Sequence, residues 1–181
     1  MPDSTITKNA LAQSMKKLMA QKPFAKICIA DICEACGMNR KSFYYHFRDK
    51  YELVNWIFQT EFVSGIRPEA LKSEWELLDD LCRYFHAEKE FYRNALQVEG
   101  QNSFREYFFE VMQPVVLYLV RDLFSDSAGK DYYVTFFCDG YLAVILRWLR
   151  KDPTIPPDEF LRDLHGIMMA LAKKALRDDG E

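Results

Sequence analysis

The sequence predicts an all-α protein of about nine helices that opens with a helix-turn-helix. Two observations predict it. Apolar residues recur at three- and four-residue spacing in segments punctuated by Gly and Pro, and no stretch sustains the alternation of a strand. The chain has 181 residues, 49% hydrophobic and 28% charged, enough to bury a core and ordinary for a folded protein. Aromatic residues make up 15%, with 14 Phe and 10 Tyr, a surplus that asks for a thick core or an apolar cavity. There is no internal repeat and no low-complexity segment.

The spacing of Leu11, Met15, Leu18 and Met19 predicts a first helix over Ile6–Gln21, with Ser4 or Thr5 as its cap and Pro23 blocking its continuation. Ile29, Ile32, Cys33 and Cys36 fall at helical spacing around a short second helix, Ala30–Cys36. Gly37 ends it, because a tight left-handed turn is cheap only for glycine. Asn39 is a good N-cap for a third helix running to Phe47. Asp49-Lys50-Tyr51-Glu52 is a capping box that starts a fourth, ending near Phe62. Beyond Gly65 and Pro68, helices are expected over Glu69–Phe85, Glu88–Gln97, Ser103–Phe124, Lys130–Arg150 and Asp158–Arg177. Gly100, the stretch Ser125–Gly129, and Pro153, Pro156 and Pro157 mark the breaks.

Helix, glycine turn and short helix between Ala30 and Phe47 form a helix-turn-helix, whose second helix is free to enter a major groove. Ile32, Cys33, Cys36, Met38, Phe43 and Phe47 are expected to pack inside the unit. That leaves Arg40, Lys41, Ser42, Tyr45 and His46 near the start and outer side of the second helix as candidate DNA contacts, with the capping residue Asn39 beside them. Arg and Lys donate to phosphates and guanine edges, and hydroxyls to phosphates. Lys50, in the first turn of the next helix, is a candidate phosphate ligand. Charge agrees in sign: residues 1–58 carry nine Lys/Arg against five acids, net +4, and the remainder carries −7 of a whole-chain −3. A basic head on an acidic body suits a polyanion-binding module attached to a part that stays off the polyanion.

The segment Ile29–Leu53 resembles the DNA-binding signature of TetR-type regulators, with Asp31-Ile32, Gly37, Tyr44, Phe47, Lys50 and Leu53 in the family's order. The resemblance implies a homodimer, a variable ligand-binding body, and double-stranded operator DNA as partner, bound less tightly once an effector occupies the body. By position, it places Arg40–Ser42, Tyr44, Tyr45 and His46 on the recognition helix and Lys50 just after it. The chain departs from the pattern in two places. Cys28 stands where a Ser or Thr cap is usual, and Cys33 and Cys36 replace small residues. Phe91-Tyr92 and Phe136-Phe137 through Gly140 to Arg147-Trp148-Leu149 also resemble a subgroup of dihydroxyacetone-kinase regulators. That implies control of a small-metabolite kinase operon, by activation or repression.

The division expected is a DNA-binding domain over 1–48 and a helical effector-binding and dimerising domain over 49–181. Tyr133, Phe136, Phe137, Gly140, Tyr141, Val144, Ile145, Trp148 and Leu149 make one wide apolar face. Phe160, Leu161, Leu164, Ile167, Met168, Leu171 and Ala175 make another. Such faces fit a four-helix interface between two copies, or packing inside one. The aromatic set Tyr84, Phe85, Phe91, Tyr92, Phe104, Tyr107, Phe108 and Phe109 either lines an effector pocket or fills the core. The effector-binding residues are not assigned, and the regulating signal is a small molecule or a protein co-regulator.

Cys33 and Cys36 fit a thiol switch, half a metal site, or two small apolar residues on a buried face, and packing is the reading preferred. His86 and Glu90, one turn apart, fit a metal or acid–base pair, or a surface contact, which is preferred. His165 has no partner in the sequence. No phosphate loop, zinc-protease pattern, nucleophile elbow or carboxylate pair points to catalysis, so no catalytic residue, cofactor or metal is expected. The most apolar late segments are interrupted by Arg147 and Arg150, and no signal sequence is visible, so neither membrane span nor export is expected. Five cysteines without framework spacing fit reduced thiols in the cytoplasm. The rival reading is a helical protein-interaction partner that kept the head fold but lost operator recognition.

Overall fold

A computed structural model describes residues 2–67, 69, 74–98, 100, 102–119, 130–151 and 155–178. Among them the chain is all-α, with nine helices and no strand. They are α1 (Pro2–Met19), α2 (Ile29–Ala35), α3 (Arg40–His46), α4 (Lys50–Glu61), α5 (Glu74–Ala87), α6 (Lys89–Ala95), α7 (Phe104–Leu119), α8 (Lys130–Arg150) and α9 (Pro157–Asp178). The expected ends of the fifth and seventh helices fall partly outside the described residues, as do the breaks at Pro68, Ser125–Gly129 and Pro153. The side chains of Leu171 and Ala175 also lie outside them.

Local chemistry sets the boundaries. The first helix starts at Pro2, so Ser4 and Thr5 lie inside it and do not cap it. It ends at Met19, and a single 3-10 turn (Phe24–Lys26) that hydropathy spacing does not announce buries Phe24 before α2 begins. Gly37 has φ +67°, the left-handed turn expected of it. At α4 the Asp49 carboxylate accepts from the Tyr51 and Glu52 amides at 2.8 and 2.9 Å. The reciprocal arm of this box differs from expectation: Glu52 reaches past Asp49 to the Arg48 amide, at 2.6 Å. The start of α7 repeats that variant. Ser103 Oγ accepts from the Glu106 amide at 3.3 Å while Glu106 reaches back to the Asn102 amide at 2.9 Å. Pro114 lies inside α7 at an exposed position, where the carbonyl left without its N–H partner can meet water.

The N-terminal three helices enclose Leu11, Met15, Ile32, Phe43 and Phe47. α4 packs against both α1 and α7, and Phe58 on its inner face enters an aromatic core. Phe58 meets the rings of Phe62, Phe104, Phe108, Phe85 and Tyr92 at centroid distances of 5.4, 5.3, 5.8, 5.9 and 6.2 Å. Phe85 and Tyr92 themselves stand 4.3 Å apart. Phe58, Phe85 and Tyr92 are fully buried, so these rings fill the centre of the molecule, the second of the two readings the sequence left open. At the far end Trp148 stacks on Phe160, 4.2 Å between centroids, and joins α8 to α9.

The density around Phe58 makes it the residue whose truncation the fold tolerates least. Phe58→Ala is expected to lower unfolding free energy by about 3–5 kcal/mol, read from urea titrations followed by circular dichroism. A loss under about 1 kcal/mol would show that the surrounding helices close the gap, and that the core does not depend on this ring.

Candidate nucleic-acid interface

The N-terminus of α2 is fixed by a carboxylate. Asp31 Oδ2 accepts from the Cys28 amide at 2.9 Å and pairs with Lys22 Nζ at 2.8 Å. The Cys28 amide, then the Lys22 ammonium, hold the Asp31 carboxyl down at about 2. Cys28 thus occupies the N-cap position that a Ser or Thr usually holds, and the box closes through Asp31.

α3 is capped by Asn39, whose Oδ1 accepts from the Ser42 amide at 2.9 Å and from the Ser42 hydroxyl at 3.2 Å. Phe43 and Phe47 are buried beneath it, while Arg40, Lys41, Tyr44 and Tyr45 are exposed, Tyr45 at 82%. Ser42 and His46 are half-buried at the edges, and the His46 ring stands edge-on to Tyr45 at 4.9 Å. The helix therefore shows solvent two cations and two phenols along one side. Asn39 and Ser42 spend part of their hydrogen-bonding capacity on each other.

Lys50 differs from the simple phosphate ligand the sequence suggests. Its ammonium turns inward, donating to the carbonyls of Phe24 at 2.9 Å and Ile27 at 2.7 Å, and lies 4.3 Å from the Phe24 ring centre. Burial pushes it below the usual lysine range. Lys50 ties the start of α4 to the turn before α2, and two of its three donors are used there. A further cation comes from α1: Lys8 Nζ stands 5.5 Å from the Phe47 ring and 5.6 Å from Trp56, at the base of α3. Hydropathy periodicity carries no sign of that proximity, which is created only when α1 crosses the unit.

The remaining candidates resolve into packing. Cys33 is buried and its thiol is raised above the ordinary value by that burial; Cys36 Sγ donates to the Ile32 carbonyl at 3.3 Å. Among the described residues no three His, Cys, Asp or Glu side chains gather as a metal site. Glu90 pairs with Arg93, and His86 stacks on Trp148 at 5.2 Å. His165 gains a partner from the fold: Nε2 stands 3.0 Å from Asp79 Oδ1, within distance but out of line for a hydrogen bond, and its ring lies 4.4 Å from Trp75.

Of the aromatics considered for an effector pocket, Tyr107 and Phe109 border surface grooves on either side of α7. One groove, about 400 Å³, runs along α4 past Glu52, Asn55 and Trp56 to Tyr107 and Glu110. The other, about 500 Å³, is edged by Ser103, Arg105, Phe109, Thr135 and Asp139. Among the described residues no helix is long and apolar enough to cross a membrane.

A capped, exposed, basic and phenolic helix, joined by a glycine turn to α2 and packed on it through buried Ile32, Cys33, Phe43 and Phe47, has the arrangement of a helix-turn-helix. Residues 15–57 match the profile of bacterial regulatory proteins of the tetR family, and residues 73–170 match that of a transcriptional regulator C-terminal region. A relative from Lactococcus lactis subsp. lactis (strain IL1403), the HTH-type dhaKLM operon transcriptional activator DhaS, is 30% identical over 135 residues, 74% of this chain and 69% of its own. Two solved structures share the fold at 18% identity. The dihydroxyacetone kinase operon activator DhaS has a TM-score of 0.68, over 93% of this chain and 97% of its own. NalD, the secondary repressor of the MexAB-OprM multidrug efflux pump in Pseudomonas aeruginosa, has a TM-score of 0.64, over 94% and 97%. The chain belongs to the TetR family of transcriptional regulators.

The Asp31 cap gives a pH signature. A carboxyl depressed on folding from 3.8 to about 2 contributes stability that is fully present above 3.8 and lost as pH falls through about 2. Asp31→Asn should therefore unfold at lower urea concentration than the wild type at neutral pH, and the gap should narrow steadily on acidification below pH 4. A gap independent of pH would remove the carboxylate from the explanation.

Proposed function

We propose that this chain is a cytoplasmic, homodimeric, sequence-specific operator-binding regulator. Residues 1–48 form its DNA-binding head, and 49–181 an effector-binding and dimerising body. The observation that carries this reading is the outer side of α3, where Arg40, Lys41, Tyr44 and Tyr45 stand exposed over a buried Phe43 and Phe47. In this reading Arg40 and Lys41 reach phosphates or base edges at the groove floor. Tyr44, Tyr45 and His46 contact the backbone along the helix, and Asn39 and Ser42 offer their remaining donors at its start. Lys50 keeps the groove-facing loops in place and turns its third donor toward a phosphate.

Dimerisation is supported by apolar surface the single chain leaves uncovered. On α8, Tyr132 and Phe136 are 82% and 80% exposed, followed at helical spacing by Gly140 and Val144; on α9, Ile167 is 60% exposed. A Cβ on Gly140 would touch nothing within 4 Å in one chain, so this glycine leaves room for a second copy to approach. Two heads on a twofold axis would read half-sites centred about 34–36 Å apart. The 30%-identical relative's role at the dhaKLM operon supports an operon of dihydroxyacetone metabolism as the target, with activation as the mode. The body would take its signal from a small molecule or a partner protein, and that signal shifts operator affinity only as far as it prefers one head spacing over the other.

Binding to DNA from upstream of the chain's own gene and its neighbours tests the head. Affinity should fall about 10³-fold or more between 50 and 200 mM salt, and Arg40→Ala/Lys41→Ala should lose about another 10- to 100-fold at fixed salt. Weak binding that is indifferent to sequence and unchanged in the double variant would sink the operator model and favour a protein-interaction role. For the dimer, Phe136→Glu should raise the dissociation constant at least about 30-fold, measured by sedimentation equilibrium. A wild-type chain that sediments as a monomer would refute the paired-head geometry.

A further inference from the structure

We infer that Lys16 is a positioning residue for operator recognition, pinning the DNA-reading head to the body at a fixed angle through Glu61 and Glu88; this rests on the operator reading above. Lys16 lies on the last turn of α1, with its side chain only 12% exposed. Its Nζ stands 2.6 Å from Glu61 Oε2, at the end of α4, and 3.1 Å from Glu88 Oε1, the residue before α6. The same ammonium stands 6.0 Å from the ring centre of Phe91. One cation therefore joins the ends of three helices that belong to both parts of the molecule.

The node is wired into the core. Glu61 Oε2 also accepts from the Tyr84 hydroxyl at 2.8 Å, and that hydroxyl is 2.8 Å from the hydroxyl of Tyr92, whose side chain is fully buried against Phe85 and Phe58. Three residues beyond Lys16, Asn94 on α6 donates to the carbonyl of Met19, the last residue of α1. The end of α1 is thus seated on α6 at two points.

The charge arithmetic explains why the lysine matters. Without the ammonium, Glu61 and Glu88 are two carboxylates converging on one partly buried point. Like charges in that setting repel, with less screening than at an open surface. The end of α4 and the start of α6 would move apart. α4 is about 18 Å long; its other end carries Lys50, and midway along it Trp56 packs against Phe47 at the base of α3. A tilt of about 3° at Glu61 displaces that end by about 1 Å, enough to misplace base-edge contacts in each half-site. Lys16 does this without touching DNA, since its charge is spent on the two carboxylates.

The test compares the wild type, Lys16→Met and Lys16→Arg as full-length proteins. Their binding is measured on operators whose half-site separation is native, one base pair shorter or one longer. Lys16→Met should bind the native spacing about tenfold more weakly, discriminate less between the three spacings, and keep the wild-type salt slope. Lys16→Arg should restore both affinity and spacing preference. Wild-type affinity and spacing preference in Lys16→Met would overturn the inference. So would a salt slope reduced by about one, which would make Lys16 a phosphate ligand. So would loss without rescue by Arg when circular dichroism shows both variants folded. A second arm needs no DNA: spin labels on the exposed Cys28 and on Glu159→Cys read the head-to-body distance within the protein. That distance should be narrowly distributed with Lys16 and broadened in Lys16→Met; an unchanged distribution overturns the inference. If the wild type binds no operator, the functional reading fails, and this arm still decides the role of Lys16.

Discussion

α4 runs between the N-terminal helices and the body through one continuous core, and its burial on both sides is the constraint on which the rest of the structure depends. Leu53, Val54, Ile57 and Phe58 are all buried along it; Val54 faces both Phe24 and Phe104, and Phe58 lies among the aromatic rings of the body. A helix is stiff over this length, so whatever sets its direction also sets where α3 points. Phe58 does most of the fixing at one end, because six rings surround it and a ring pair adds about 0.5–1.5 kcal/mol beyond the area it buries. At the other end, the Asp49 cap closes the first turn and the inward ammonium of Lys50 ties it to the turn before α2.

This arrangement limits how a change in the body can reach α3. The interior between α4, α5, α6 and α7 is occupied by side chains, and the grooves described lie at the surface on either side of α7. One of them runs directly along α4. A ligand or partner seated at the surface could bias the angle of α4 without opening the aromatic core, at a far smaller cost than repacking close-packed rings. The same logic places the polar contacts of Lys16, Glu61 and Tyr84 at the rim of that core, where charge is shielded from solvent but still hydrogen-bonded.

Charge is used differently in the two parts. In the N-terminal helices, Lys22 and Lys50 are engaged with Asp31 and with backbone carbonyls, so the net positive count of that segment overstates what it can offer a phosphate. Arg40 and Lys41 remain exposed on α3. Several of the basic residues counted in the sequence are therefore structural, and the cationic surface open to solvent is narrower than composition implies.

The sequence by itself determined the helical class, the position of the helix-turn-helix and most helix boundaries, because these follow from spacing and from caps a few residues long: Gly37, Asn39 and Asp49 act within a single turn. It also determined that Phe43 and Phe47 face inward and Arg40, Lys41 and Tyr45 outward, since a short helix with two buried rings has only one outer side; Tyr44 joined them by resemblance to the family. What tertiary structure decided concerns partners distant along the chain. Lys50 faces carbonyls more than twenty residues earlier, Lys16 meets Glu61 and Glu88, and His165 meets Asp79 and Trp75. The choice between a filled aromatic core and a lined pocket belongs to the same group. Periodicity fixes which side of a helix is buried, but not what that side is buried against, and a long side chain such as Lys50 can turn toward solvent or inward from the same backbone position.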